Sequence, residues 1–271
     1  MTLKMLCSDL DGTLLALKNR TSPHCNEVFK KYRDRIKIVL VSARMPSGMH
    51  YIQKDLGILD QPIVCYNGAL VMEGSRVLSS HYIDLDRVRE ICQLSNTYGV
   101  AVGLYAYDQW TAPSRSERID KEEFNTQTKV VIESNEETVK KWKDQGLGAH
   151  KLMLMGTKES ADALFNVLME RFSETLGIYR SNDTLIEITP GGVDKLIGIQ
   201  SLLSAEIQLE HILAFGDNFN DISMISGVGY GVALGNGREA LKKVAQETIA
   251  TCAADAVAKF LPSFLDKHLA S

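Results

Sequence analysis

The stretch Met5-Leu6-Cys7-Ser8-Asp9-Leu10-Asp11-Gly12-Thr13-Leu14 constrains this chain more than any other. An apolar run carries the backbone to Asp9, a second carboxylate comes two residues on, and a glycine releases the chain into a turn. Side chains at i and i+2 of an extended segment point the same way, so Asp9 and Asp11 are expected to share one small space. Gly12 lets the backbone approach a ligand and reach positive φ, and Thr13 adds a hydroxyl. A turn after a buried strand is the plain structural reading of such a string. Two carboxylates that cannot diverge also suit a divalent cation. Mg2+ takes oxygen ligands, is usually held by one or two protein carboxylates, and completes its shell with water and phosphate oxygens. A carboxylate can also attack phosphorus and form an aspartyl phosphate.

The 271 residues fit one large or two moderate domains. A net charge of −4 argues against a nucleic-acid surface and against an anionic membrane as partner. No apolar stretch reaches the ~20 residues that cross a bilayer. Met1-Thr2-Leu3-Lys4 runs straight into the first strand without a signal-peptide pattern. Cys7, Cys25, Cys65, Cys92 and Cys252 are odd in number and scattered, as free thiols in a reducing compartment are. The expectation is a cytoplasmic protein, monomer or small homo-oligomer, that works on a small molecule.

Further along, Ser22-Pro23-His24 suits a helix start, with a basic helix over 25–35 whose Lys30, Lys31 and Arg33 read as a solvated face. The β-branched run over 36–41 reads as a buried parallel strand and ends in Ser42-Ala43-Arg44. About thirty residues separate Asp9 from Ser42, enough for a βαβ crossover. A helix over 47–56 stops at Gly57, and the next apolar run ends in Asn67-Gly68. A hairpin is expected over 69–80, turned by Glu73-Gly74-Ser75. Over 83–186 helical patterns alternate with short strands at 100–105, 129–132 and 151–155, an inserted α+β domain. The α/β pattern then returns with a helix over 197–203 and a strand over 211–215. That strand ends in Gly216-Asp217-Asn218-Phe219-Asn220-Asp221. A strand over 230–234 ends in Gly235-Asn236-Gly237, and a last helix over 254–261 is limited by Pro262. Ligands of open α/β sheets bind at the carboxyl ends of the strands, where these polar strings lie.

If the strand before Asp217 lies beside the first, Asp9, Asp11, Asp217 and Asp221 converge, and their repulsion calls for a cation. Ser42 either donates a hydrogen bond to a phosphoryl oxygen or caps the helix after it. Lys195, in Gly191-Gly192-Val193-Asp194-Lys195, is either a solvated surface lysine or a point charge beside phosphate. Tyr105, Tyr107, Asp108, Trp110 and Arg115 form either a sugar-reading cluster or domain core plus exposed loop. Glu187 and Asn67 stand at the domain junctions, near the expected substrate mouth. His24, His81 and His211 show no ligand spacing.

D-x-D-G-T, a serine after the second strand, a lysine before a helix and an acidic G-D-x-x-N-D resemble, in that order, the four motifs of the haloacid dehalogenase (HAD) superfamily. More narrowly the chain resembles the Cof-type sugar phosphatases, through Asn67-Gly68-Ala69, Gly191-x-Val193-x-Lys195 and Gly235-Asn236. The resemblance covers essentially the whole chain. It implies a Rossmann-like parallel sheet of order 5-4-1-2-3 over residues 1–82 and 187–271, with an inserted α+β cap of the C2 arrangement over 83–186. It implies Asp9 as nucleophile and Asp11 as general acid and later base, its backbone carbonyl on the metal. Ser42 and Lys195 hold the phosphoryl group. Mg2+ lies on Asp9, Asp11 and Asp217 with Asp221 in support, while Gly12, Ala43, Arg44, Asn67, Gly68 and Asn220 line the substrate side. The implied activity is Mg2+-dependent hydrolysis of a small phosphorylated metabolite, a sugar phosphate, through an aspartyl phosphate. A phosphomutase of similar architecture and a non-catalytic metabolite sensor are the alternatives. The family usually has Thr-Gly-Arg where this chain has Ser42-Ala43-Arg44, and Asn-Ala where it has Asn236-Gly237. Neither change removes a functional group.

Overall fold

A computed structural model describes residues 2–17 and 19–269. The chain divides into two compact units, Met1–Ser79 with Asp194–Ser271, and Ser80–Val193. The first unit opens with β1 (Met5–Ser8), every residue of it buried. Helix α1 (Pro23–Tyr32) starts where Ser22 Oγ accepts from Cys25 N, and Pro23 takes the first turn, where no amide is needed. Then come β2 (Lys37–Val41), α2 (Ser47–Leu56) and β3 (Pro62–Cys65). Gly57, left-handed at φ 72°, ends α2. The expected hairpin is present as β4 (Leu70–Glu73) and β5 (Arg76–Ser80).

The second unit runs α3 (Leu85–Thr97), β6 (Ala101–Ala106), β7 (Gln109–Ala112), α4 (Glu117–Thr126), β8 (Val131–Ile132), α5 (Asn135–Gln145), β9 (Lys151–Met155), α6 (Lys158–Phe172), β10 (Leu176–Asn182) and β11 (Leu185–Pro190). Its sheet has the order β10-β11-β9-β6-β7-β8. Alternation puts Val102, Leu104, Leu152, Leu154, Ile186 and Ile188 in one buried cluster with Val88 and Ile91 of α3, Trp142 of α5 and Leu164 of α6. The strand expected over 129–132 shortens to β8, whose two residues are both exposed. The domain boundary read at 186/187 falls inside β11, which runs on to Pro190 in pairing with β10.

The chain re-enters the first unit through α7 (Lys195–Gln200), β12 (Ile212–Gly216), α8 (Ile222–Gly227), β13 (Tyr230–Ala233), α9 (Glu239–Lys242), β14 (Glu247–Thr248) and α10 (Ala256–His268). The sheet order is β14-β13-β12-β1-β2-β3-β4-β5. The expected parallel order is present as β13-β12-β1-β2-β3. The short parallel β14 and the β4–β5 hairpin extend its two edges. Pro262 does not limit the last helix; it lies inside α10. An interior proline costs about 3 kcal/mol. Burying Leu261 and Leu265 stabilises by roughly 1.5–3 kcal/mol each. Phe260 stacks on Phe264 with centroids 4.9 Å apart, and His268 lies tilted against Phe264 at 4.4 Å. Packing outweighs propensity.

One histidine of the second unit, His150, is fully buried. Its Nε2 meets Ser80 Oγ at 3.0 Å, and its Nδ1 accepts from Tyr107 N at 3.1 Å. Burial, with His81 nearby, lowers its pKa from 6.5 to about 4. Folding therefore favours the neutral ring, and the unfolded chain binds the extra proton first. This contribution is complete above pH 6.5 and is lost as pH falls through that value toward about 4. The loss amounts to about 3 kcal/mol. Urea titrations of the wild type and His150→Gln should show the wild type losing more stability across this window. Parallel pH profiles would remove His150 as the cause.

Candidate active site

β1 and β12 are parallel neighbours, paired Ser8 to Phe215, so both chains leave the sheet at the same level. Asp9 N donates to Phe215 O at 3.0 Å. Beyond β12 the backbone turns, and Asp217 and Asp221 come back against Asp9. One carboxylate oxygen from each of the three lies within 4.8 Å of the others.

Lys195 stands among them, fully buried at the first position of α7. Its Nζ donates to Asp9 Oδ1 at 2.6 Å and to Asp221 Oδ1 at 2.5 Å. That settles the choice left open by the sequence: this lysine is no surface residue. Asp221 is equally buried, and its Oδ2 accepts from the backbone N–H of Asp217 and of Asn218, both at 2.9 Å. Thr13 Oγ1 donates to Asp217 Oδ1 at 3.2 Å.

Burial raises the pKa of Asp9 to about 8 against the pull of Lys195, and the charges of Asp221 and Asp217 add to the rise. Burial, with Asp221, raises Asp217 to about 6. Burial alone would lower Lys195, but the two carboxylates outweigh it and hold the ammonium charged. Three carboxylates against one ammonium leave the cluster short of positive charge. The donors are hard oxygens at a spacing one ion can bridge, so the residues fit a divalent cation. Asp221 is committed at both oxygens to Lys195 and to two backbone N–H groups, whereas Asp9 accepts from Lys195 at one oxygen and Asp217 has only longer contacts, from Thr13 Oγ1 at 3.2 Å and Asn236 Nδ2 at 3.5 Å, which leaves these two with capacity to spare.

The expected convergence of four carboxylates is corrected to three. Asp11 stands outside the cluster. Its Oδ2 accepts from Arg44 Nε and its Oδ1 from Arg44 Nη2, both at 2.8 Å. The i, i+2 rule fails because β1 ends at Ser8 and the backbone is already turning: Thr13 N and Leu14 N both donate to Leu10 O. Arg44, expected on the substrate side, is buried and held on Asp11. Its Nη1 donates to Tyr51 OH at 2.9 Å and Gly48 O at 3.2 Å.

Ser42 is buried at the end of β2, and its Oγ accepts from Arg44 N at 3.3 Å. It does not cap α2, whose N-cap is Pro46. Its hydroxyl proton remains to be aimed elsewhere. Ala43 sits in the same bend. Asn67, left-handed at φ 55°, accepts at Oδ1 from Asn220 Nδ2 at 2.9 Å, so two residues picked separately from the sequence meet. Gly68 has φ 102°, and a Cβ there would lie 2.0 Å from Asp194 O, where the chain enters α7.

Sequence reasoning gives no role to Asn236 or Tyr51. Asn236 Nδ2 donates to Gly12 O at 2.9 Å and its Oδ1 accepts from Cys252 N at 2.7 Å, tying two loops together. Its position in Gly235-Asn236-Gly237 at a strand end is the available signal; Tyr51, inside α2, carries none. In the second unit the polar-aromatic cluster disperses. Tyr105 and Trp110 stack in the interior with centroids 5.3 Å apart. Arg115 pairs with Glu123 at 2.9 Å on the surface. Glu187 accepts from Ser181 Oγ at 2.6 Å, with Lys151 Nζ at 3.8 Å.

The family model for haloacid dehalogenase-like hydrolases matches residues 6–261. The chain is 29% identical to the 5-amino-6-(5-phospho-D-ribitylamino)uracil phosphatase YitU of Bacillus subtilis, over 96% of this chain and 97% of that protein. It is 25% identical to the pyridoxal phosphate phosphatase YbhA of Escherichia coli, over 98% and 100%. The crystal structure of a haloacid dehalogenase-like hydrolase from Bacteroides thetaiotaomicron superposes with a TM-score of 0.88. It covers 97% of this chain and 100% of that one at 24% identity, a likeness of fold.

Gly12 offers a test of the cluster that removes no charge. Its φ is 90°, and a Cβ there would lie 2.4 Å from Asp217 Oδ2. Gly12→Ala should therefore displace the Asp217 carboxylate and weaken binding of a divalent cation, read by calorimetry, by about tenfold or more. An unchanged affinity would remove Asp217 from the cation site.

Proposed function

The chain belongs to the haloacid dehalogenase-like hydrolases, and from that premise we propose that it hydrolyses a small phosphate monoester, a sugar phosphate, through an aspartyl phosphate on Asp9. The observation that carries the reading is Lys195 Nζ, 2.6 Å from Asp9 Oδ1 and 2.5 Å from Asp221 Oδ1. The buried ammonium orients the Asp9 carboxyl by one oxygen, a cation held at the cluster would keep it ionised as the nucleophile against the rise that burial causes, and the same ammonium would hold a phosphoryl oxygen. The two curated relatives bear the names of phosphatases acting on a ribityl phosphate and on pyridoxal phosphate, which supports a small phosphate monoester as substrate.

In this mechanism an Asp9 oxygen attacks phosphorus, the ester P–O bond breaks, and the leaving alkoxide takes its proton from Asp11. Water then attacks the aspartyl phosphate while Asp11 takes the water's proton, which regenerates Asp9 and releases inorganic phosphate. Ser42 and Lys195 hold the phosphoryl oxygens through both steps. Asn67, Gly68 and Asn220 line the approach, and Gly12 and Ala43 bring backbone close to the transferring group. Asp9, Asp217 and the Asp11 carbonyl, with Asp221 in support, would hold Mg2+, whose charge would offset that building on the transferring group. To deliver or accept a proton, Asp11 must free an oxygen from Arg44, since both oxygens accept from it.

Hexose phosphates incubated with enzyme and Mg2+ should yield free phosphate; an isomeric sugar phosphate would indicate a mutase, and no turnover a sensor. Asp9→Asn keeps the size of the side chain and removes the attacking charge, so turnover should fall by about a thousandfold or more while circular dichroism is unchanged. Residual turnover of ~10% or more, a barrier change of only about 1.4 kcal/mol, would count against covalent catalysis at Asp9. EDTA should abolish phosphate release and Mg2+ restore it, with Ca2+ a poor substitute because its larger, looser shell misplaces the phosphoryl group. Full activity in stringently metal-free buffer would sink the cation assignment.

A further inference from the structure

Resting on that reading, we propose that Arg44 is the positioning residue for Asp11, acting through that carboxylate rather than on substrate: it holds Asp11 in one orientation and clear of the Asp9–Asp217–Asp221 cluster. A carboxylate two residues from Asp9 would otherwise be drawn to any cation placed among three acidic groups. The turn after Ser8 already carries Asp11 out of line with Asp9, and what then holds its carboxylate comes from the other side. Both Asp11 oxygens are taken by the planar fork of one guanidinium, at 2.8 Å each, a geometry that fixes direction as well as distance.

The fork is itself immobilised. The Arg44 side chain is only 4% exposed, whereas that of Asp11 is 48% exposed. Tyr51 OH and Gly48 O hold the third nitrogen from the first turns of α2. The backbone is tied as well: Arg44 N donates to Ser42 Oγ at 3.3 Å, and Arg44 O accepts from Tyr66 N at 3.1 Å. Arg44 is thus anchored by two loops and a helix, and Asp11 is the more exposed partner, the one free to leave. This is the arrangement of a fixed clamp on a moving acid, and a mobile arginine reaching for substrate would have the reverse. It also assigns work to Tyr51, one step further back.

The test is a double-mutant cycle in the full-length protein. Arg44→Met should lower kcat for a hexose 6-phosphate by about a hundredfold while KM stays within about threefold, since no ground-state substrate contact is lost. Read as the single-turnover rate of aspartyl-phosphate formation from that same ester, the change should cost about as much with Asp11 present and less than about twofold in the Asp11→Asn background, while p-nitrophenyl phosphate, whose phenol leaves without a proton, should lose little in either. Arg44→Lys should recover little, because a point charge cannot fork. Tyr51→Phe, the gentler variant should Arg44→Met fail to fold, should lower kcat about three- to tenfold, again only when Asp11 is present. A second arm needs no turnover. Freed by Arg44→Met or loosened by Tyr51→Phe, Asp11 should join the cluster and tighten Mg2+ binding, measured by calorimetry, about tenfold for the former and less for the latter, and Asp11→Asn should erase that gain. A raised KM, or an equal loss with and without Asp11, would overturn the proposal and return Arg44 to the substrate. An unchanged Mg2+ affinity would overturn it too. If the wild type releases phosphate from neither ester, the phosphatase reading falls and the Mg2+ arm alone decides the role of Arg44.

Discussion

A buried ammonium is among the costliest groups a fold can carry, and Lys195 is fully buried. Removing an ion from water costs several kcal/mol even after the surroundings relax, and only close opposite charge with full hydrogen bonding offsets it. Asp9 and Asp221 supply both. The dependence is mutual. Asp221 has no access to solvent and rests on Lys195 and two backbone N–H groups; without the lysine it would be a buried, half-satisfied carboxylate. Breaking such a pair from one side typically costs about 3–5 kcal/mol. The first loop of the chain, the loop after β12 and the start of α7 are therefore held to one another through a single nitrogen.

The sheet makes this possible at modest expense in chain. β13, β12, β1, β2 and β3 lie side by side and parallel, so their carboxyl ends form one edge. Each strand delivers its own polar residues to that edge: Asn236 after β13, Asp217 and Asp221 after β12, Asp9 after β1, Ser42 and Arg44 after β2, Asn67 after β3. Residues far apart in sequence, such as Asn67 and Asn220, meet because their strands end at the same level, as doubly wound sheets generally arrange. The polar network along that edge is tied across loops, with Asn236 joining Gly12 to Cys252.

The part of this architecture legible in the sequence is the part governed by local rules. Apolar runs and their polar endings mark the strands and their order, and the spacing of Asp217 and Asp221 marks a second acidic turn. Lys195 is visible only by its place in the order of motifs; its burial, which decides its role, is a tertiary property. The failures have the same root. Asp11 falls beside Asp9 only if the backbone stays extended, whereas the strand ends one residue before Asp9 and a distant arginine captures the carboxylate. Propensity makes Pro262 a helix stop, and the aromatic row and buried leucines of α10 override it. The 129–132 run has the β-branched residues of a strand, but only its last two residues pair with β7, and Val130 N donates instead to Glu123 Oε1. Tyr51 cannot be found in the sequence at all, because its partner is set by how α2 packs.

The register that seats Met5 against Ile212 has a consequence during synthesis. β1 is made before the inserted unit, yet the strand that covers one of its two edges is made only after the whole of that unit. At ordinary elongation rates that interval is on the order of ten to forty seconds. Throughout it, the nascent chain can pair β1 with β2 and β2 with β3 but presents an apolar strand with an unfilled side, the kind of edge that recruits other chains. Met5, Leu6 and Cys7, which are completely enclosed in the finished protein, are the residues exposed for that time. The inserted unit, whose own sheet is closed within residues 80–193, is then free to fold first, and the first unit is completed last although it was begun first.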